Sequence, residues 1–226
     1  LALVEASGAL QADITLSASD PGQGIALSGR ADELVVGANR VGALVFDFTV
    51  ADALGLPMLG GAAHGRDILV AGFDIATVGI DALQIDDERM RISAESTLAI
   101  GTEIETVAEL ARLPGGFAAT LQTLRIHQGE LAAALNAPST ITVQDGTVTL
   151  TPLALDLGGG RLTAQGSVAE AFDISLDITD VPLALANTIR PGLGLGGTVT
   201  GTARVTGPRA APDVRFDLAG SQLTSA

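Results

Sequence analysis

Apolar and polar residues alternate with period two along most of this chain. In the segment 172–179, Phe172, Ile174, Leu176 and Ile178 fall on one face of an extended strand, and Asp173, Ser175, Asp177 and Thr179 on the other. The segment 213–218 repeats the pattern with Val214, Phe216 and Leu218 on its apolar side, and a Gly/Thr ribbon at 196–207 separates the two. Nearer the start, Leu10, Ala12, Ile14, Leu16 and Ala18 alternate with Gln11, Asp13, Thr15 and Ser17. Leu44, Phe46, Phe48 and Val50 likewise oppose Val45, Asp47 and Thr49, and Ile92, Ala94, Ser96, Leu98 and Ile100 oppose Arg91, Ser93, Glu95 and Thr97. Ile141 and Val143, then Val148 and Leu150, bracket Asp145-Gly146, a dipeptide that favours a type I′ hairpin. Leu153, Leu155, Leu157 and Leu162 continue an apolar face past a kink expected at 158–160. Strands recurring every ~10–15 residues predict an all-β protein.

The alternation breaks in informative places. Phe73 and Ile75 share one parity, Val78 and Ile80 the other, and Leu83 and Ile85 return to the first. Bulges near Thr77 and near Asp81 would produce that sequence. A turn at 20–24 stops the first strand by fixing φ at Pro21 and freeing it at glycine. Three short segments read as helical: 107–113, closed by Pro114-Gly115; 183–189, with Pro182 at its first position and Pro191-Gly192 as its stop; and 51–56. Phe46–Val50, a short apolar link and Pro57 resemble Leu176–Thr179, Asp180-Val181 and Pro182. The shared unit is an alternating strand, an Asp, and a Leu/Ala-rich segment that would cap a sheet edge. Such repetition suggests stacked units in an elongated sheet. No linker composition divides the chain, so residues 1–226 read as one continuous domain.

Composition narrows the function. Hydrophobic residues make up 47% of the 226 positions but aromatics only 3%, so the apolar mass is Leu, Ala, Val and Ile. The net charge of −14, with arginine as the only base among Lys and Arg, argues against nucleic acid as a partner. It also disfavours charge-driven docking on anionic headgroups. The acids keep a Leu-rich sheet soluble and guard its edges. Without cysteine there is no disulfide and no thiolate metal site. No signal peptide and no run of 18 or more apolar residues occurs. The opening Leu1-Ala2-Leu3-Val4 suggests a piece of a longer protein.

No catalytic constellation emerges. The G-x-G-x-x-G at 192–197 follows an expected helix and precedes a strand, the reverse of a dinucleotide site, and reads as a turn. His64 and His127 lie far apart, each beside glycine in an expected turn, which suits neither a triad nor a metal site. Asp86-Asp87-Glu88 reads as a solvated turn, since its surroundings lack the oxygen-ligand spacing of a calcium loop. The arginines are scattered singly. The reading is therefore non-enzymatic, without cofactor or metal, and the apolar face itself is the candidate surface. Its lining residues are Leu44, Phe46, Phe48, Val50, Ile92, Leu98, Ile141, Val143, Val148, Leu150, Leu153, Leu155, Leu157, Leu162, Phe172, Ile174, Leu176, Ile178, Val214, Phe216 and Leu218. Alternation alone suits a closed sandwich or barrel equally well. Scarce large aromatics and the absence of long loops weigh against a packed sandwich.

The stretch 137–220 resembles the C-terminal region of the TamB family, AsmA-like subunits of the translocation and assembly module in Gram-negative envelopes. The resembling residues run from Gly158-Gly159-Gly160-Arg161-Leu162 to Gly166, and then from Asp177 through Asp180-Val181-Pro182 to Asn187. They continue from Pro191 to Gly201 and from Arg204 to Gly207, and close with Ala211-Pro212-Asp213-Val214-Arg215-Phe216-Asp217-Leu218. Residues 1–136 match only in style, as at Asp52–Pro57 and Leu113–Phe117. The resemblance implies an elongated, curved open β-sheet, a trough with an apolar concave face and a few short capping helices. It implies a periplasmic location within an inner-membrane-anchored protein, the anchor lying outside this sequence. It further implies an outer-membrane barrel partner of the TamA type. Two roles follow from it: carriage of phospholipid acyl chains toward the outer membrane, or assistance to outer-membrane protein insertion by strand pairing.

Overall fold

A computed structural model of the chain describes residues 6–19, 22–53, 57–189 and 193–225. It is all-β apart from one short helix. The strands are β1 (Ala6–Ser19), β2 (Gly22–Val36), β3 (Asn39–Ala51), β4 (Met58–Val70), β5 (Phe73–Gln84), β6 (Arg89–Leu98), β7 (Glu103–Leu113) and β8 (Gly116–Gln128). They continue with β9 (Leu131–Leu135), β10 (Ser139–Gln144), β11 (Thr147–Leu157), β12 (Gly160–Val168) and β13 (Ala171–Pro182). After α1 (Ala184–Ile189) come β14 (Gly196–Pro208) and β15 (Asp213–Thr224). Hydrogen bonding follows chain order in one antiparallel sheet, except that β9 and β10 take successive lengths of the gap between β8 and β11. Contacts divide the chain into two compact units, Leu1–Glu109 and Leu110–Ala226.

Sequential pairing follows from short turns. Asp145 and Gly146 carry φ of 49° and 77°, as a type I′ hairpin requires, and Gln144 pairs with Thr147. The parity change in β5 has the expected cause: register slips between Ile75 and Thr77 against β6, leaving Ala76 as the extra residue.

Several expectations are corrected. Residues 107–113 form part of β7 rather than a helix; a glycine-free run of 11 residues with Thr106 and Val107 extends readily when a neighbouring strand supplies partners. No second bulge occurs near Asp81, because register runs unbroken from Thr77 to Gln84. Leu83 therefore projects from the opposite side and is 61% exposed. Gly158 and Gly159 form the β11–β12 turn instead of a kink, and Leu162 belongs to the next strand, opposite Leu155. Ile100 lies in the turn after β6. Pro182 ends β13, and the helix starts two residues later. His64 and His127 sit within β4 and β8, not in turns. Gly22–Gly24 already belong to β2, while Asp20, Pro21, 54–56 and 190–192 lie outside the described residues.

Candidate functional site

Directly opposed residues of antiparallel neighbours project from the same face. Register therefore reads the apolar surface row by row. In the first unit one row is Ile14–Leu27–Phe48–Gly61–Ala82–Ile92, the next Ala12–Gly29–Phe46–Ala63–Ile80–Ala94, and the third Leu10–Ala31–Leu44–Gly65–Val78–Ser96. Leu16, Ile25, Val50 and Leu59 make a shorter row beside them. The opposite face carries Asp13–Ser28–Asp47–Ala62–Asp81–Ser93. One side is oily and the other wet.

A line of irregularities crosses this surface. Glu33 and Asp67 hold φ of 48° and 54° within their strands, and register slips at Ser7/Ala9 and Ile75/Thr77. A left-handed residue or an extra residue reverses side-chain parity and bends the strand. Past this line Leu34, Val41, Ile68 and Ile75 join Leu98 on the apolar face, although their parities in sequence point elsewhere.

At the other end of the strands the sheet curls tightly. Cα atoms of β4 and β6 approach within 8 Å although β5 lies between them; two strand spacings in a flat sheet amount to about 9.5 Å. The Leu59 amide donates to Met90 Sδ at 3.2 Å. Met90 shares the face of Ile92, and Ala82, opposite Ile92, is 7% exposed. With Leu83 on the reverse side at 61%, the apolar face is the concave one here.

The second unit repeats the logic. Its rows are Phe117–Val143–Val148–Val168–Phe172–Gly207 and Ala119–Ile141–Leu150–Gly166–Ile174–Val205–Val214. Beside them run Leu153–Ala164–Leu176–Ala203–Phe216 and Leu135–Leu155–Leu162–Ile178–Gly201–Leu218, with Leu157 opposite Gly160. The register slip between Leu150 and Leu153 keeps both residues on this side. The reverse face holds Thr142–Thr149–Ser167–Asp173–Thr206–Asp213.

All twenty-one residues expected to line the surface thus lie on the apolar face of their own unit: Leu44, Phe46, Phe48, Val50, Ile92 and Leu98 in the first, the others in the second. Sequence reasoning missed Ile25, Leu27, Ile80, Phe117, Val168 and Val205. Their strands mix small and large residues, so only pairing to a clearer neighbour shows their side.

The described residues supply no second layer over either face. Among the described residues the buried apolar ones are Ala31, Met58, Ala82 and Met90, and no side chain is fully enclosed. The chain leaves 13794 Å² accessible to water. One compact monomer of its mass would expose roughly 9500 Å², and two globules of half that mass about 11500 Å² together. The excess is the uncovered sheet.

The polar candidates do not assemble. His64 lies opposite Val45 and Gly79 on the wet face of the first unit, and His127 opposite Ala132 in the second. Asp86 accepts Arg89 Nε at 2.8 Å and Nη2 at 2.6 Å, and this hydrogen bonding holds its carboxyl below the ordinary aspartate range. No group of three potential metal ligands occurs among the described residues. The G-x-G-x-x-G runs into β14, and the part of it described shows Gly194 at φ 58°. No helix among the described residues is long and apolar enough to cross a membrane. Comparison with protein-family models, curated proteins and solved structures finds no match.

Proposed function

We propose that this chain is a non-enzymatic segment that shields phospholipid acyl chains along its apolar sheet faces, in a TamB-like translocation and assembly module bridging the periplasm. The observation that carries the reading is a row-by-row apolar face with no second layer over it. A packed sandwich would spend those residues on its own core. Each methylene withdrawn from water is worth about 0.8 kcal/mol, so a sixteen-carbon tail costs roughly 12 kcal/mol to hydrate. A surface of Leu, Val, Ile and Phe removes most of that cost. Its rows repeat with Ser96 as the one polar member among those described, which gives sliding sites of similar depth rather than one trap. No reactive side chain is required.

A photo-crosslinking residue at Leu162, with phospholipid identified by mass spectrometry, tests the reading directly. Adducts should form there and disappear when Ile174, Leu176 or Phe216 is replaced by arginine. A crosslinker at Thr163, on the reverse face, should capture none. Equal capture from both faces, or none from either, refutes lipid carriage.

A second reading has its own observation. The edge strand β1 presents Leu10, Ile14 and Leu16 at 61–74% exposure, which suits pairing with an extended strand of an outer-membrane protein. It predicts binding of unfolded barrel segments that a proline at Thr15 abolishes.

A further inference from the structure

The outermost strand of the second unit has a sequence of unusual symmetry. β15 hydrogen-bonds β14 along one edge, and no described strand meets the other. Its residues are all exposed, with Val214, Phe216 and Leu218 at 58%, 72% and 52%. It has neither the proline nor the lysine that commonly blunt such an edge. Read against an inverted copy of itself and centred on Phe216, the strand places Val214 opposite Leu218, Arg215 opposite Asp217, and Phe216 opposite Phe216. Every one of those pairs is favourable across antiparallel strands.

We propose that β15 is a homodimerisation edge, pairing antiparallel with β15 of a second copy about a twofold axis through Phe216. An axis perpendicular to the sheet leaves the apolar side chains of both copies on one side and both Arg–Asp pairs on the other. Such an interface is isologous and closes on itself. At present Arg215 donates to Asp213 at 2.8 Å, with 82% and 51% of the two side chains exposed. An exposed pair of that kind is weak, so the guanidinium is free to turn to Asp217 of the second copy. The opposite edge strand lacks this complementarity, because β1 bears Asp13 and no cation. The inference rests on β15 alone and is independent of lipid carriage.

Sedimentation velocity of the 226-residue chain across micromolar concentrations should show a monomer–dimer equilibrium. Arg215→Asp sets like charges opposite one another twice and should weaken the dimer by roughly tenfold or more. Asp217→Arg should do the same, and the double reversal should restore dimerisation. That rescue separates pairing from misfolding. Because the chain has no cysteine, Phe216→Cys should yield a single disulfide-linked dimer on oxidation, whereas Ile14→Cys should not. A monomer at every concentration overturns the proposal. So does a dimer indifferent to the single charge reversals, or crosslinking at position 14 instead of 216.

Discussion

The two units build the same kind of one-sided sheet from different side chains. In the first, Phe46 stands opposite Gly29 and Ala63, and Phe48 opposite Leu27 and Gly61. A Cβ at Gly29 would lie 2.7 Å from Phe46 Cζ, so the ring occupies the space over the neighbouring strand. In the second, medium aliphatics stand shoulder to shoulder, as in Leu155–Leu162–Ile178. Both devices occur in both units, since Leu16–Ile25–Val50–Leu59 is an aliphatic row of the first and Phe172 opposite Gly207 a size contrast of the second. The paired contrasts at Phe46 and Phe48, however, belong to the first. A size-contrast surface fails when its small member grows, because no rotamer moves a Cβ aside. An aliphatic row can repack around one more or one fewer methyl.

The largest expected effect exploits that contrast. Gly61 has φ 130°, and a Cβ there would collide with the Asp47 carbonyl oxygen. Gly61→Ala should destabilise the first unit by about 3 kcal/mol. Gly60→Ala, one residue earlier, would meet only Thr49 Oγ1 at 3.3 Å and should cost under about 1 kcal/mol. Chemical denaturation monitored separately for each unit would check both. Equal effects at 60 and 61 would show that backbone approach does not constrain this row.

Next in size is the response of lipid capture to charge. An arginine on an apolar surface costs about 2.5 kcal/mol by analogy with the bilayer centre. Phe48→Arg and Leu176→Arg place it on the first and second unit, with Asp47→Arg and Asp177→Arg as reverse-face controls. Loss of phospholipid adducts on one unit only would assign carriage to that unit. Loss with the controls alone would exclude the apolar faces.

Smaller again is the effect of emptying the curled end of the first unit. Met90 is buried and accepts the Leu59 amide through sulfur, so Met90→Ala removes both filler and acceptor. The expected loss is about 2 kcal/mol of stability, read as faster amide exchange at Leu59. The second unit should be unaffected. Unchanged exchange at Leu59 would mean that the sulfur contact does not hold the curl.

How far the sequence foretold this surface depends on local regularity. Where alternation is unbroken, as at Phe172–Ile178, strand and face were legible, while the pairing partners on β12 and β14 came only from the structure. The reverse held for Leu34, Val41 and Ile68, whose side is decided by left-handed Glu33 and Asp67. A carboxylate in a strand gives no sign that its φ will be positive. The segment 107–113 read as a short helix closed by Pro114-Gly115; its strand state depends on neighbours elsewhere in the chain. The missing second layer was also beyond periodicity, since a buried and an uncovered apolar face read alike in one dimension.

The smallest prediction separates the units by the chemistry of one carboxylate in each. Asp86 in the first is held below the ordinary aspartate range chiefly by its hydrogen bond from Arg89. Asp156 in the second is lowered chiefly by Asn136 Nδ2, at 2.8 Å, and then by Arg161. Both are titrated more easily when unfolded, so each contributes stability that is present above its unfolded pKa. That contribution is lost as pH falls through the lower folded value, and the window therefore lies on the acid side of the ordinary range. Asn136→Ala should raise the Asp156 pKa and leave Asp86 unchanged, while Arg89→Gln should do the converse, both followed by carboxyl NMR titration. Added salt should move Asp86 further than Asp156, because the main partner of Asp86 is an exposed charge and that of Asp156 a neutral amide. Should Asp156 respond to salt as strongly as Asp86, its principal partner would be Arg161 rather than Asn136.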